Sequence, residues 1–181
     1  MKFTPLNLAP AHVIDLAVHA DDRGYFARAW CRSEFEEAGL KTAWEQTNLS
    51  YTRRKGTIRG MHYQVGPWRE VKLVRCLRGC IYDVIADVRP DSPTYMQWQA
   101  VELDAASLKW IYVPEGFAHG FQSLTDEVEV LYQVSQSYHP EAERGFRHDD
   151  ARFQISWPLE VSLISAKDAS WPAFSPEPVL P

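Results

Sequence analysis

The chain has 181 residues, 45% of them hydrophobic and 24% charged, ordinary values that allow a packed core and exclude a disordered chain. Nineteen Lys and Arg against twenty-four Asp and Glu leave a formal charge of −5. That balance argues against a nucleic-acid partner, which needs a basic face to displace counterions. Nothing approaches the roughly 20 apolar residues of a membrane helix, and residues 1–18 are broken by Pro5, Pro10, His12 and Asp15 where a leader would be apolar. The three cysteines, Cys31, Cys76 and Cys80, match neither a zinc cluster nor a disulfide framework, so a reducing, cytoplasmic setting is expected.

The first expected element is a short strand over residues 13–18, a weak edge if it stands alone. Ser33 followed three residues on by Glu36 predicts a capped helix over 33–38, with Gly39 as its stop. From there the chain reads as strands. Residues 71–77 and 81–88 are β-rich runs flanking Arg78-Gly79-Cys80, which predicts a hairpin. Further strands are expected over 95–103, 110–113, 117–124 and 128–135, at about the 8–12-residue spacing of a sandwich or barrel. Beyond Pro158 the period is lost, and Pro172, Pro176, Pro178 and Pro181 mark a tail over about 169–181, an extended strap or a partly disordered end. With no repeat or linker, residues 1–181 read as a single all-β domain, an antiparallel jelly roll (double-stranded β-helix) with a few short helices.

The polar residues within this pattern carry the chemistry. Alternation along 81–88 puts Tyr82, Val84, Ala86 and Val88 on one face and Ile81, Asp83, Ile85 and Asp87 on the other. If the second face lines the interior, Asp83 is a buried carboxylate that needs a partner; if it is wet, it needs none. His62 and His119 sit among apolar residues, where a histidine is usually a satisfied core residue. Here Arg59, Lys72, Tyr132 and Tyr138 recur in phase along neighbouring strands, which favours a site. Tyr132 and Tyr138, six apart, are expected on one strand face.

Pro114-Glu115-Gly116-Phe117-Ala118-His119 matches the second half of the cupin signature. The first half asks for His-x-His and a nearby Glu, whereas this chain has His62-Tyr63-Gln64 with Glu70 displaced. A metal held by His62, Glu70 and His119 is therefore an alternative, not the favoured reading, because such sites need about three well-placed ligands.

Over nearly its whole length the chain resembles the dTDP-4-dehydrorhamnose 3,5-epimerases, nucleotide-sugar epimerases. The motifs, in order, are Asp21-Asp22-Arg23-Gly24-Tyr25-Phe26, Gln46-x-Asn48-x-Ser50, the run from Lys55 to Gln64, Lys72-Leu73-Val74-Arg75-Cys76, Asp83-Val84, Asp91-Ser92-Pro93-Thr94, the run from Pro114 to Phe121, Tyr132, Tyr138 and Leu163-Ile164-Ser165-Ala166-Lys167-Asp168. The resemblance implies a cupin-like homodimer that uses neither metal nor organic cofactor and acts on a dTDP-linked 4-keto-6-deoxy sugar. It implies His62 as the base at C3 and C5, Asp168 as its orienter, Tyr132 as the acid on the opposite face and Lys72 beside the C4 oxygen, with Asp83 and His119 in support. Arg23, Phe26, Gln46, Asn48, Arg59, Tyr138, Glu143 and Lys167 are implied as substrate and nucleotide contacts, partly from the neighbouring subunit. The chain departs from the family pattern at Arg28, where glutamate is common, at Glu70, where glutamine is common, and at Arg144, where glycine is usual.

The implied chemistry is physically coherent. A C4 ketone acidifies the protons on both adjacent carbons, so a base can remove them without a cofactor. An unperturbed imidazole titrates near 6.5 and accepts a proton at neutral pH; a carboxylate on its other nitrogen fixes the tautomer; an ammonium stabilises the enolate oxygen. A hydroxyl across the ring returns the proton with inversion. Relatives that invert a single centre share most of these motifs, and a non-catalytic sugar-nucleotide binder would keep the pocket without the proton transfer.

Overall fold

The structure, a computed structural model, describes residues 1–176. In chain order the elements are β1 (Lys2–Pro5), β2 (His12–Asp15), β3 (Val18–Asp21), β4 (Gly24–Ala27), α1 (Arg32–Glu37), β5 (Gln46–Thr52), β6 (Thr57–Gln64), β7 (Lys72–Arg78), β8 (Cys80–Asp87), β9 (Trp98–Asp104), β10 (Trp110–Val113), β11 (Phe117–Ser123), β12 (Val128–Val134), β13 (Glu143–Gly145), β14 (Leu163–Ile164) and α2 (Ala166–Ala169). One antiparallel sheet runs β1-β2-β10-β7-β12-β5 and the other β13-β6-β11-β8-β9, with β14 added parallel to β6 and the β3–β4 hairpin apart from both. This is the expected cupin-like jelly roll.

Apolar side chains from both sheets fill the space between them. Ile81 and Ile85 of β8 meet Val74 and Cys76 of β7, Ile111 of β10 and Val130 of β12. The outer faces are covered as well. Val84 and Ala86 lie under Phe146, Phe153 and Phe174, and Leu73, Trp110 and Tyr112 lie under Phe35 of α1 and Leu40. The two faces of residues 81–88 are thus as expected, and both are dry: Asp83 and Asp87 are fully buried.

Four expectations are corrected. The runs around Gly79 do not form a hairpin, because β7 and β8 belong to different sheets. The chain turns a corner there, at φ +76° and with a Cβ position 2.4 Å from Thr125 Oγ1, which only glycine accommodates. The helix begins at Arg32 with Cys31 as its N-cap and no side-chain cap bond; Ser33 Oγ lies 3.2 Å from Cys31 Sγ. Gly39 does stop it, with Gly39 N–H donating to Glu36 and Leu40 N–H to Phe35, the paired bonds of a Schellman end. Residues 13–18 form not one strand but parts of β2 and β3, and β2 is no edge, being paired on both sides by β1 and β10. The strand expected from residue 95 begins at Trp98.

The segment after Pro158 is a strap. Leu163 and Ile164 pair with β6, Ser165 caps α2, and Phe174 is buried, its N–H donating to Asp150 at 2.6 Å. Pro178 and Pro181 lie outside the described residues.

Candidate active site

A cavity of about 440 Å³ opens between the sheets. Arg59, His62, His119 and Phe121 line it from one sheet, Ser50, Lys72, Val130 and Tyr132 from the other, and Ile164, Ser165, Lys167 and Asp168 from the strap. Cross-strand register explains the gathering, because directly opposed residues share a face. His62 on β6 is opposite His119 on β11. On the other sheet Tyr132 is flanked by Asn48 and Val74, and Val130 by Ser50 and Cys76.

His62 Nε2 lies 2.7 Å from Asp168 Oδ1. The other oxygen, Oδ2, accepts the N–H of Gly60 at 3.2 Å, and Ser165 Oγ caps the helix by accepting the N–H of Asp168. Burial alone would raise this carboxyl, but the bond and charge of His62, with the Gly60 and Ser165 contacts, hold it below the usual range. Asp168 is therefore ionised. Gly60 brings β6 against β11 so closely that a Cβ would stand 2.6 Å from Gly120 Cα. With Nε2–H donating to Asp168, Nδ1 is the ring nitrogen whose lone pair can accept a proton. His119 Nε2 is likewise 2.8 Å from Asp83 Oδ2, at a fully buried carboxylate; this is the partner that the sequence required for Asp83.

Tyr132 faces His62 from the opposite sheet. Burial pushes its phenol upward, Glu70 adds to the rise and Arg59 opposes it, so the hydroxyl stays protonated at neutral pH and suits an acid. Lys72 Nζ is 3.1 Å from Glu70 Oε1 and donates to the His62 carbonyl at 3.4 Å. Arg59 crosses between the sheets, donating from Nε to Thr52 Oγ1 at 2.9 Å and from its terminal nitrogen to the Tyr51 carbonyl. At the rim, Lys167 Nζ contacts both Glu143 oxygens at 2.6 and 2.7 Å, and Tyr138 OH donates to Glu143 at 2.8 Å.

Of the residues named from sequence, His62, Tyr132, Asp168, Lys72, His119, Arg59 and Lys167 line the cavity. Asp83 stands behind His119, and Tyr138 and Glu143 flank Lys167. Tyr138 is not on the strand of Tyr132, since β12 ends at Val134. Gln46 and Asn48 lie on β5 outside the lining. Arg23 and Phe26 are on the exposed hairpin; Arg23 pairs with Asp21 at 2.6 Å, and Phe26 is 65% exposed. Ser50, whose buried hydroxyl has no hydrogen-bond partner among the described residues, was readable from its period with Asn48. Trp171, edge-on to the His62 ring at 6.2 Å, carried no signal in the sequence. The alternative metal set does not assemble: His62 engages Asp168, Glu70 engages Lys72, and among the described residues no three His, Cys, Asp or Glu are placed to hold an ion.

Fold and site together are those of a cupin-like enzyme whose cavity holds groups suited to proton transfer. The family model for dTDP-4-dehydrorhamnose 3,5-epimerase matches residues 5–176, and the chain belongs to that family. It is 40% identical over 184 residues to the dTDP-4-dehydrorhamnose 3,5-epimerase of Methanothermobacter thermautotrophicus, spanning 98% of this chain and 97% of that one. Among solved structures, the Bacillus anthracis enzyme with TDP and PPi bound superposes with a TM-score of 0.93 at 36% identity, covering 96% of this chain and 99% of that one. The Legionella pneumophila enzyme, in complex with dTDP-4-keto-L-rhamnose, gives 0.88 at 34% identity, covering 94% and 90%.

Proposed function

We propose that this enzyme inverts C3 and C5 of dTDP-4-dehydro-6-deoxy-D-glucose to give dTDP-4-dehydro-L-rhamnose. The observation that carries this is the pairing across one cavity of an imidazole oriented by an ionised carboxylate with a protonated phenol on the opposite sheet. His62 Nδ1 takes the proton from the carbon next to the C4 ketone, and its positive charge is balanced by Asp168. The electrons move onto the C4 oxygen, where Lys72 and its ammonium stabilise the enolate. Tyr132 then protonates the same carbon from the other face, which inverts it. His62, with 30% of its side chain exposed, returns its proton to solvent, and Tyr132 regains one. The second carbon repeats the cycle. His119 and Asp83 support the wall beside His62.

Arg59 and Lys167 offer cations to the diphosphate from this chain. Arg23 and Phe26 sit on a hairpin that does not line the cavity, which supports a homodimer in which each hairpin serves the partner's site. Exposed Leu49 and Tyr51 on β5, an edge of its sheet among the described residues, favour the same assembly, because such edges are normally covered. The free thiols of Cys31, Cys76 and Cys80 fit a cytoplasmic setting. No described helix is long and apolar enough to cross a membrane. Residues 1–181 are taken as one epimerase domain.

Incubation with dTDP-4-keto-6-deoxyglucose in deuterated water tests the reading by mass. Two deuterons, at C3 and C5, are expected. One would restrict the enzyme to a single centre, and none would overturn proton transfer altogether.

A further inference from the structure

Lys72 reaches the cavity with a carboxylate attached. Lys72 and Glu70 are each only 12% exposed, so their pair is shielded from the water and salt that weaken surface pairs. Glu70 is itself held in place. Its Oε2 accepts from Gln64 Nε2 at 3.3 Å. The two N–H groups of that buried amide are shared between Glu70 and the carbonyls of Trp68 and Ser137, and its oxygen accepts the His139 N–H at 2.6 Å. A fixed amide, a carboxylate and an ammonium thus stand in series, and only the last of them lines the cavity.

We propose that Glu70 is a positioning residue that holds the Lys72 ammonium at the cavity wall, where the C4 oxygen gains negative charge. The proposal rests on the reading of Lys72 as the enolate's stabiliser. Glu70 also adds to the burial-driven rise of the Tyr132 phenol, so an effect on Lys72 must be read where that phenol is absent.

The test therefore uses Tyr132→Phe as background and follows the rate of deuterium wash-in to recovered 4-keto sugar, a rate that reads His62 and Lys72. Adding Glu70→Ala, which removes the partner 3.1 Å from the ammonium, is expected to slow exchange at saturating substrate about tenfold. Binding of dTDP by calorimetry should stay within about twofold. Glu70→Gln, whose amide oxygen can still accept from Lys72, should recover most of the lost rate. Unchanged exchange in a folded Glu70→Ala protein, as judged by thermal melting, overturns the proposal. So does a Glu70→Gln protein as slow as Glu70→Ala. Absence of exchange in the parent enzyme itself overturns the reading of the site, and the proposal with it.

Discussion

Replacing His62 with alanine removes the imidazole held 2.7 Å from Asp168 and leaves Arg59 and Lys167, the cations proposed for the diphosphate, in place. Turnover is expected to fall by at least about 10²–10⁴, the usual worth of a positioned base, with dTDP affinity within a few-fold of the parent by calorimetry. Near-normal turnover would remove His62 from the mechanism. Tyr132→Phe separates the other half of the reaction. The ring keeps the packing, the hydroxyl is lost, and the enolate can be reprotonated only from the side of His62. Deuterium should enter recovered substrate faster than epimer accumulates, whereas in the parent the two run together. Inversion at the parent rate would pass the acid role to another group. At this scale the imidazole, the phenol and the carboxylate were legible as residue types in motifs. Their distances were not, because His62 and Asp168 are 106 positions apart and meet only through the strap.

The strap makes the link between element and site. It carries Asp168 on α2 and is tied to β6 by Leu163 and Ile164 and to the core by Phe174. Phe174→Ala should lower stability by about 3–5 kcal/mol, as for other buried phenylalanines, shown as a lower urea midpoint. It should also reduce kcat more than it raises KM, since a loosened strap misaligns Asp168 behind the base. Equal kcat in a destabilised variant would show that α2 is held by its other contacts. Strand existence was readable from alternation, and residues 110–113 were placed to the residue. Pairing was not, and Gly79 is the reason: a glycine at φ +76° serves a hairpin and a corner between sheets equally well. Ser33 and Glu36 had the right spacing for a capping box, yet the helix starts one residue earlier, because Phe35 must face the cluster of Ile14, Leu73 and Trp110; burial outweighs a cap worth about 1 kcal/mol.

For the whole molecule, the hairpin that carries Arg23 gives the test of assembly. His62→Ala and Arg23→Ala proteins, each inactive or nearly so, should regain activity when unfolded and refolded together. A mixed dimer has one site with both residues intact, so about a quarter of all sites should work at equal mixing. Activity no higher than the sum of the two would contradict hairpin exchange, and a monomeric mass by light scattering at micromolar concentration would contradict the dimer. Acid stability depends on carboxylates spread over the fold. Besides Asp168, buried Asp87 is held below its ordinary value: burial would raise it, but Arg89 at 2.6 Å, Ser92 at 2.5 Å and Thr94 at 2.6 Å more than compensate. A lowered folded-state value means stability that is present above about pH 4 and lost as pH falls through the folded value. The Tm should therefore drop steeply on acidification, and less steeply in Asp87→Asn and Asp168→Asn, whose Tm is lower at neutral pH. A parent-like slope in both would discount these groups.

The amino-acid sequence by itself determined the class of fold and the faces of its strands, because period-two alternation is a local property of a chain, and its family motifs supplied the residue types suited to proton transfer. Only the tertiary structure decided that β7 and β8 belong to opposite sheets, that the face bearing Asp83 is dry, that Glu70 pairs with Lys72, and that Arg23 and Phe26 do not line the cavity of their own chain. Each of these depends on which surfaces are buried against each other. Burial is settled by packing between segments far apart in sequence, through a hydrophobic effect that is non-directional and leaves no period to read.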